Sequence, residues 1–459
     1  MIVPAPLTRE QIKKSQKNYL CFGSINGFSY MCLGETIIIL VAVQIGMPDI
    51  LISILGAMLY LGYLLLPMGL RFAARDGASA CQSTFWILRS IAAIFVVVSV
   101  FLARYCPVAA WILLLTVAFL FYGFRAAGVV MTQPLIGGFT SDEDRSKVFG
   151  NANFLFYFSG MLALIMVTVL LKIWDPIYAL CTIIILGACM GAFSSKFIRE
   201  LCETEELREF AKKPIFSQWK VMKKNPLISQ VIYAGFCKNA AMILTGPPSV
   251  LMLKKGYGLT DMEAVLFSVF QLIASFTFSW VSGKMIIKRG PRLVMILGLL
   301  CCLVVSFFWM ISPFSRGIEV YVIAIIAFFL YGTASAITDN ANVCYFLMVT
   351  PKEQQIAGSV MLNLVAGAGA GVTGMGIAAG LIWLSNLLAP SAIGWLGDFI
   401  PAGEDKTIPY KLFFVLVIPF YLYFTWQSVR LKTVISSYRE EHGEQGVRKT
   451  VETGRKGNH

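Results

Sequence analysis

The 459 residues include only two histidines, His442 and His459, and both lie in a polar C-terminal stretch. A membrane enzyme built on a histidine base is thereby excluded, and so is a relay of protons along histidines. Charge is equally scarce. Asp, Glu, Lys and Arg make up 14% of the chain, where a soluble domain carries about 25%. The eleven cysteines never adopt a CxxC spacing, and Cys21, Cys32, Cys181, Cys189, Cys237, Cys301, Cys302 and Cys344 sit inside apolar segments. They read as small helix fillers, neither disulfides nor metal ligands. No GxxxxGK[ST] motif occurs, so ATP drive is not expected. The polar first 18 residues lack a small-residue cleavage site and do not read as a signal peptide. No cofactor and no enzymatic activity are expected.

What is present is apolar length. Hydrophobic residues make up 57% of the chain, and windows of about 20 residues, enough to span a bilayer, occur twelve times. Six cover 19–46, 48–69, 85–103, 109–137, 148–171 and 177–197; six more cover 227–253, 262–285, 293–311, 320–348, 359–388 and 410–429. The expected fold is an all-α membrane protein of two six-helix bundles, 19–197 and 227–433. A polar segment (1–18), a middle loop (198–226) and a disordered tail (434–459) complete the chain.

The net charge of +13 belongs to loops and not to a basic domain, so a nucleic-acid partner is not expected. With both termini placed in the cytoplasm, 28 Lys and Arg fall on inside segments and seven on outside loops. That bias orients the chain. A multi-pass cell-membrane protein follows, with a bacterial inner membrane as the expected location. In the middle loop, Ile198, Leu201, Leu207 and Phe210, then Phe216, Trp219 and Met222, recur near helical spacing. They describe either two amphipathic helices on the inner leaflet or a solvated linker.

Four charges stand inside apolar segments at a regular interval: Glu35 in the first, Arg125 in the fourth, Lys238 in the seventh and Asp339 in the tenth. Charge at bilayer depth costs about 2.5 to 3.5 kcal/mol each, so four left alone would cost roughly 10 to 14 kcal/mol. They must pair, meet water or serve a substrate. Residues at i±3, i±4 and i±7 share a helix face. This places Phe28 and Met31 with Glu35, Tyr122 and Thr132 with Arg125, Thr245 with Lys238, and Ser335 and Asn342 with Asp339. Gly246, Pro247 and Pro248 mark a kink or a packing contact in the seventh span. Gly367 with Gly371, and Gly376 with Gly380, give the eleventh a close-packing face.

The halves resemble each other. FLFYGF (119–124) precedes TSDEDR (140–145), and FFLYGT (328–333) precedes TPKEQQ (350–355); Tyr122 and Tyr331 are 209 residues apart, Thr140 and Thr350 are 210 apart. Such an internal repeat is common in transporters. In SGKMIIKRGPRLVMILG (282–298), Gly283, Lys288, Gly290 and Arg292 resemble the loop signature of the major facilitator superfamily, with Ile287 where that signature carries an acid. The first-half loop GLRFAARDGAS (69–79) matches more loosely, Gly77 being one step late. The resemblance implies that the first, fourth, seventh and tenth helices line a central cavity around which two bundles rock. Those are the four charged helices.

Glu35 and Arg125 are similar to the proton-coupling pair of sugar porters in that superfamily: separating an acid from a guanidinium favours its protonated form. The alternative is a static pair that pins two helices. Lys238 either anchors a substrate anion or neutralises Asp339. The expected function is secondary transport: proton-coupled (or sodium-coupled) symport of a small sugar or organic acid by a monomer in the bilayer. The rivals are an exporter of amphiphilic compounds and a non-transporting scaffold or sensor.

Overall fold

The computed structural model describes residues 2–3, 7–140, 142–212, 226–349, 358, 360–396 and 405–431. The tail and the part of the middle loop holding Phe216, Trp219 and Met222 lie outside them, as does TPKEQQ. Twelve helical stretches are long and apolar enough to cross a membrane. The first is broken: α1 (Arg9–Cys32) stops and α2 (Glu35–Gln44) begins after Leu33 and Gly34. The second joins α3 (Asp49–Leu61) to α4 (Leu66–Asp76) through a 3-10 turn. Then follow α5 (Ala78–Leu102), α6 (Pro107–Val129), a short α7 (Thr132–Gly138), α8 (Asp142–Ile173) and α9 (Pro176–Arg199). After α10 (Glu205–Lys212) come α11 (Pro226–Leu251), α12 (Asp261–Arg289), α13 (Pro291–Ile311), α14 (Ile318–Val349), α15 (Gly369–Leu396) and α16 (Ile408–Val429).

Local chemistry explains where these helices begin. Pro107, Pro176 and Pro291 open α6, α9 and α13, where proline's missing N–H is no loss. Thr8 with Gln11, and Thr260 with Glu263, form capping boxes at α1 and α12, each satisfying two amides that the first turn leaves unbonded. Gly77 and Gly290 turn the chain at φ +97° and +82° with nearly equal ψ, a conformation that glycine alone adopts cheaply. The loosely matching first-half loop thus makes the same turn as the signature loop.

Two polar segments make contacts with the first bundle. The polar first segment is not separate from the bundle: α1 starts at Arg9, Ser15 Oγ accepts from the Cys202 amide at 3.1 Å, and Asn18 donates to Glu200 at 3.3 Å. The described part of the middle loop is likewise attached to the bundle. β1 (Ile2–Val3) pairs in parallel with β2 (Glu203–Thr204), and Arg208 of α10 donates to the carbonyls of Ala74 and Arg75 at 3.2 and 2.6 Å. Buried Glu203 accepts from the Ala78 amide and the Ser79 hydroxyl at the start of α5.

The bundles meet chiefly where α3 packs on α15 and α8 on α12. A side chain added at Gly367 would strike Tyr63, and one at Gly371 would strike Leu61, so these glycines let α3 and the 3-10 turn after it approach; among the described residues nothing lies against Gly376 or Gly380. Pro247 and Pro248 are carried within α11, and Pro247 packs on Gly56. At the end of the molecule away from the start of α1, polar contacts join the bundles. Asp49 pairs with Lys255 and accepts from the Tyr410 hydroxyl at 2.7 Å. Gln44 donates to Asp261 at 2.6 Å, and Asp261 pairs with Lys254 at 2.5 Å.

Candidate functional site

Between the bundles lies a cavity of about 400 Å³. Its wall is built by the break in the first span (Tyr30, Gly34, Glu35, Thr36), by Arg125 of α6 and by Phe156 and Tyr157 of α8. Gly246 of α11 and Tyr331, Ser335, Asp339 and Asn340 of α14 complete it with α12. The break matters because the first amides of any helix have no acceptor within it. Gly34 supplies no side-chain cap to α2, so that end of the helix opens onto the cavity with Glu35 in its first turn.

Glu35 and Arg125 line the same cavity but form no ion pair, and no hydrogen bond is made by either side chain among the described residues. Glu35 lies against Gly56 and within electrostatic range of Tyr60, Tyr122 and Tyr331. Arg125 stands over the Tyr30 ring, 5.0 Å from its centre, a contact that eases but does not neutralise its charge. Lys238 and Asp339 do touch. Lys238 is almost enclosed, while the Asp339 side chain is 57% exposed toward the cavity.

The remaining sequence candidates divide. Ser335 lines the cavity. Phe28 is half-buried and packs against the hydrophobic core. Tyr122 is buried and its hydroxyl has no hydrogen-bond partner among the described residues. Thr132 accompanies Gln82 at 3.4 Å on α7, away from the cavity wall. Thr245 is wholly buried, donating to the Ala241 carbonyl and meeting the Tyr421 hydroxyl at 2.6 Å. Asn342 is buried near Gly235, its Oδ1 without a partner among the described residues.

Two features escaped the sequence reading. On α12, Ser268, Gln271, Ser275 and Ser279 line the cavity; their spacing of three, four and four residues is a legible helical stripe. Thr36 and Ser268 meet across the bundles at 3.2 Å, and Asn340 donates to Ser279 and Ser282. The second feature is the packing of Arg89 of α5, a further charge inside a span, which has no exposed surface. It donates to Ser29 at 3.0 Å and lies over Trp86 and Phe121, while its Nε and Nη1 have no partner among the described residues.

A second void of about 180 Å³ opens between α8 and α12, lined by Phe154, Tyr157, Phe158, Met161, Leu272, Ile273 and Phe276. It shares Tyr157 and Leu272 with the central cavity.

Twelve spanning helices in two bundles around a cavity with charges at membrane depth define a multi-pass membrane protein with a transporter fold. The sequence matches the Major Facilitator Superfamily over residues 19–374. The chain belongs to that superfamily. Among solved structures, a variant of nucleoside transporter NupG superposes with a TM-score of 0.67 at 11% identity, covering 91% of this chain and 99% of the other. The xylose transporter XylE from E. coli, in a partially occluded inward open conformation, gives 0.61 at 12%, with 90% and 97% covered. A peptide transporter POT in complex with sulfate gives 0.58 at 13%, with 91% and 95% covered. At these identities the likeness is one of fold. No curated protein matches the sequence.

Proposed function

We propose that the protein is a proton-coupled symporter of a small polar solute, a sugar or an organic acid, working by alternating access. Its setting is a bacterial inner membrane, with both termini cytoplasmic and the chain acting as a monomer. The observation that carries this reading is Glu35: an acid at membrane depth, facing a solute-sized cavity beside Arg125 without bonding to it. Intramembrane ionisable residues earn a functional role because they are expensive to keep. A carboxyl whose distance to a guanidinium changes as the bundles rock gains and loses a proton in step with the motion. The links among Gln44, Asp49, Lys255, Asp261 and Tyr410 tie the bundles together at one end of the molecule, as one half of such a cycle requires. Cavities of about 300 to 1,000 Å³ suit small molecules. Proton-driven solute uptake into vesicles carrying the purified protein tests the reading, and it should vanish in Glu35→Gln; pH-driven uptake unimpaired in that variant would remove Glu35 from the proton path, and uptake following a sodium gradient would replace the proton.

The apolar void between α8 and α12 favours a second reading, an exporter of amphiphilic compounds, because it adjoins the polar cavity through Tyr157 and Leu272. Uptake of the polar head-group compounds alone, without their alkylated derivatives, counts against it.

A further inference from the structure

The void between α8 and α12 lies in the seam where the bundles meet, and its walls reach the outside of the fold. Phe154 and Phe158 of α8 and Ile273 and Phe276 of α12 line it and are all exposed. Tyr157 meets Phe276 edge to face across the seam, their ring centres 5.9 Å apart. No charged side chain lines the void among the described residues. Apolarity alone selects nothing here, because in a bilayer an acyl chain leaves surroundings as apolar as those it enters. What selects an occupant is the charge that the same helix face carries further along.

On α12, Ile273, Phe276, Trp280 and Lys284 recur at steps of three, four and four residues, which is one helix face, and all four are exposed. With a rise of about 1.5 Å per residue, Lys284 stands about 12 Å beyond Phe276 and about 16 Å beyond Ile273. Half the hydrocarbon core of a bilayer is about 15 Å, so the void lies where the far half of an acyl chain falls when its headgroup is level with Lys284. Trp280 is 68% exposed, and the Lys284 ammonium stands 3.4 Å from the centre of its ring. Tryptophan and lysine side by side at a helix end mark the headgroup level. Lys288, four residues on, is exposed as well, and neither lysine has an acidic partner among the described residues. An amphiphile bound for export would put its head in the polar cavity, whereas the cations nearest the void along this face stand at the membrane surface. We propose that the seam binds one anionic phospholipid, with an acyl chain in the void between α8 and α12 and the phosphate of its headgroup on Lys284 and Lys288. The lipid is a resident of the seam and not cargo. Its chain lies against Tyr157 and Leu272, which also face the central cavity, and so bears on the surfaces that slide when the bundles rock.

Phosphatidylglycerol carrying a diazirine near the end of one chain, added to the purified full chain in mixed micelles, tests this. Irradiation followed by mass spectrometry of the peptides locates the chain end, and phosphatidylglycerol and phosphatidylcholine with identical chains serve as competitors. The expected result is label concentrated in 154–161 and 272–276, removed by phosphatidylglycerol and far less by phosphatidylcholine. A cation near the surface of an anionic membrane is worth roughly fivefold in affinity. Lys284→Gln combined with Lys288→Gln should therefore lower the labelling by about tenfold or more, and the paired changes to Arg should keep it. Met161→Trp fills the void and should displace the label with both lysines in place; the unfolding midpoint of each variant shows that it is folded. Label spread evenly over other exposed faces, such as that of Ile94 and Phe95 on α5, equal competition by phosphatidylcholine, or unchanged labelling in the folded double Gln variant overturns the proposal. Displacement by dodecyltrimethylammonium in preference to phosphatidylglycerol overturns it too, and assigns the void to the tail of an amphiphilic solute.

Discussion

Lys238 on α11 and Asp339 on α14 touch, whereas Glu35 on α2 and Arg125 on α6 share a cavity wall without touching. Both bundles therefore carry one acid and one base at membrane depth, and they satisfy them differently. A contact pair is neutral in every state in which it stays closed, so the second bundle holds a constant charge. The separated charges of the first bundle are each open to a change of partner, and the cavity between them is where a proton or an anion alters the balance. The backbone reinforces the difference. The first span breaks at Leu33 and Gly34 directly before its acid, while Lys238 and Asp339 lie within continuous helices.

The largest expected effect comes from removing the acid on each side. Glu35→Gln should abolish pH-driven accumulation in vesicles, and Asp339→Asn should lower the rate while leaving its dependence on the pH gradient in place. Equal loss of pH dependence in both variants would erase the distinction between the bundles. A double-mutant cycle sharpens it next. For Lys238→Met and Asp339→Asn, chemical unfolding should give a coupling of about 1 kcal/mol, at the low end for contacting residues because the Asp339 side chain is more than half exposed. The same cycle on Glu35→Gln and Arg125→Gln should give below about 0.5 kcal/mol, as for groups that do not touch. A larger value there would mean that the two close into a pair in solution.

Asp49→Asn removes the charge partner of Lys255 at the closed end. Loss of a charged contact of this kind is worth about 1 kcal/mol, roughly a fivefold shift between the two ends, and a cysteine placed at Thr36 should react correspondingly faster with a membrane-impermeant thiol reagent added at that end. An unchanged rate would show that α3 packing on α15, and not the polar links, keeps that end shut. The smallest effect belongs to the α12 stripe. Ser275→Ala or Gln271→Leu should change solute affinity by about tenfold or less, the scale of one neutral hydrogen bond, with no change in proton dependence.

Much of this architecture is legible in one sequence. Twelve apolar windows, the capping residues Thr8 and Thr260, the prolines opening helices and the turn glycines Gly77 and Gly290 act through local physics. The cavity polar stripe on α12 was equally legible, since serines and a glutamine recur at helical spacing in an apolar span; it stays hidden when attention goes to charges alone. Arg89 shows the opposite limit. A lone arginine inside a span looks like any other intramembrane charge, and only packing reveals that Ser29, Trp86 and Phe121 enclose it away from the cavity. Thr245 and Thr132 shared a helix face with a charge and yet point to other partners, because a face is wide and the neighbouring helix decides which part of it meets water.

The sequence by itself determined how many windows are apolar and long enough to cross the membrane and which of them carry a charge, because span length and side-chain polarity are properties of short segments. It also determined that the charges lie on helices that repeat in the two halves. Only the tertiary structure decided which charges meet. Whether Lys238 reaches Asp339 and Glu35 misses Arg125 depends on the separation of helices far apart in the chain, on the break at Gly34 and on close contacts such as Gly56 with Pro247. Ion pairs form or fail over a few ångströms, a distance that no local pattern encodes.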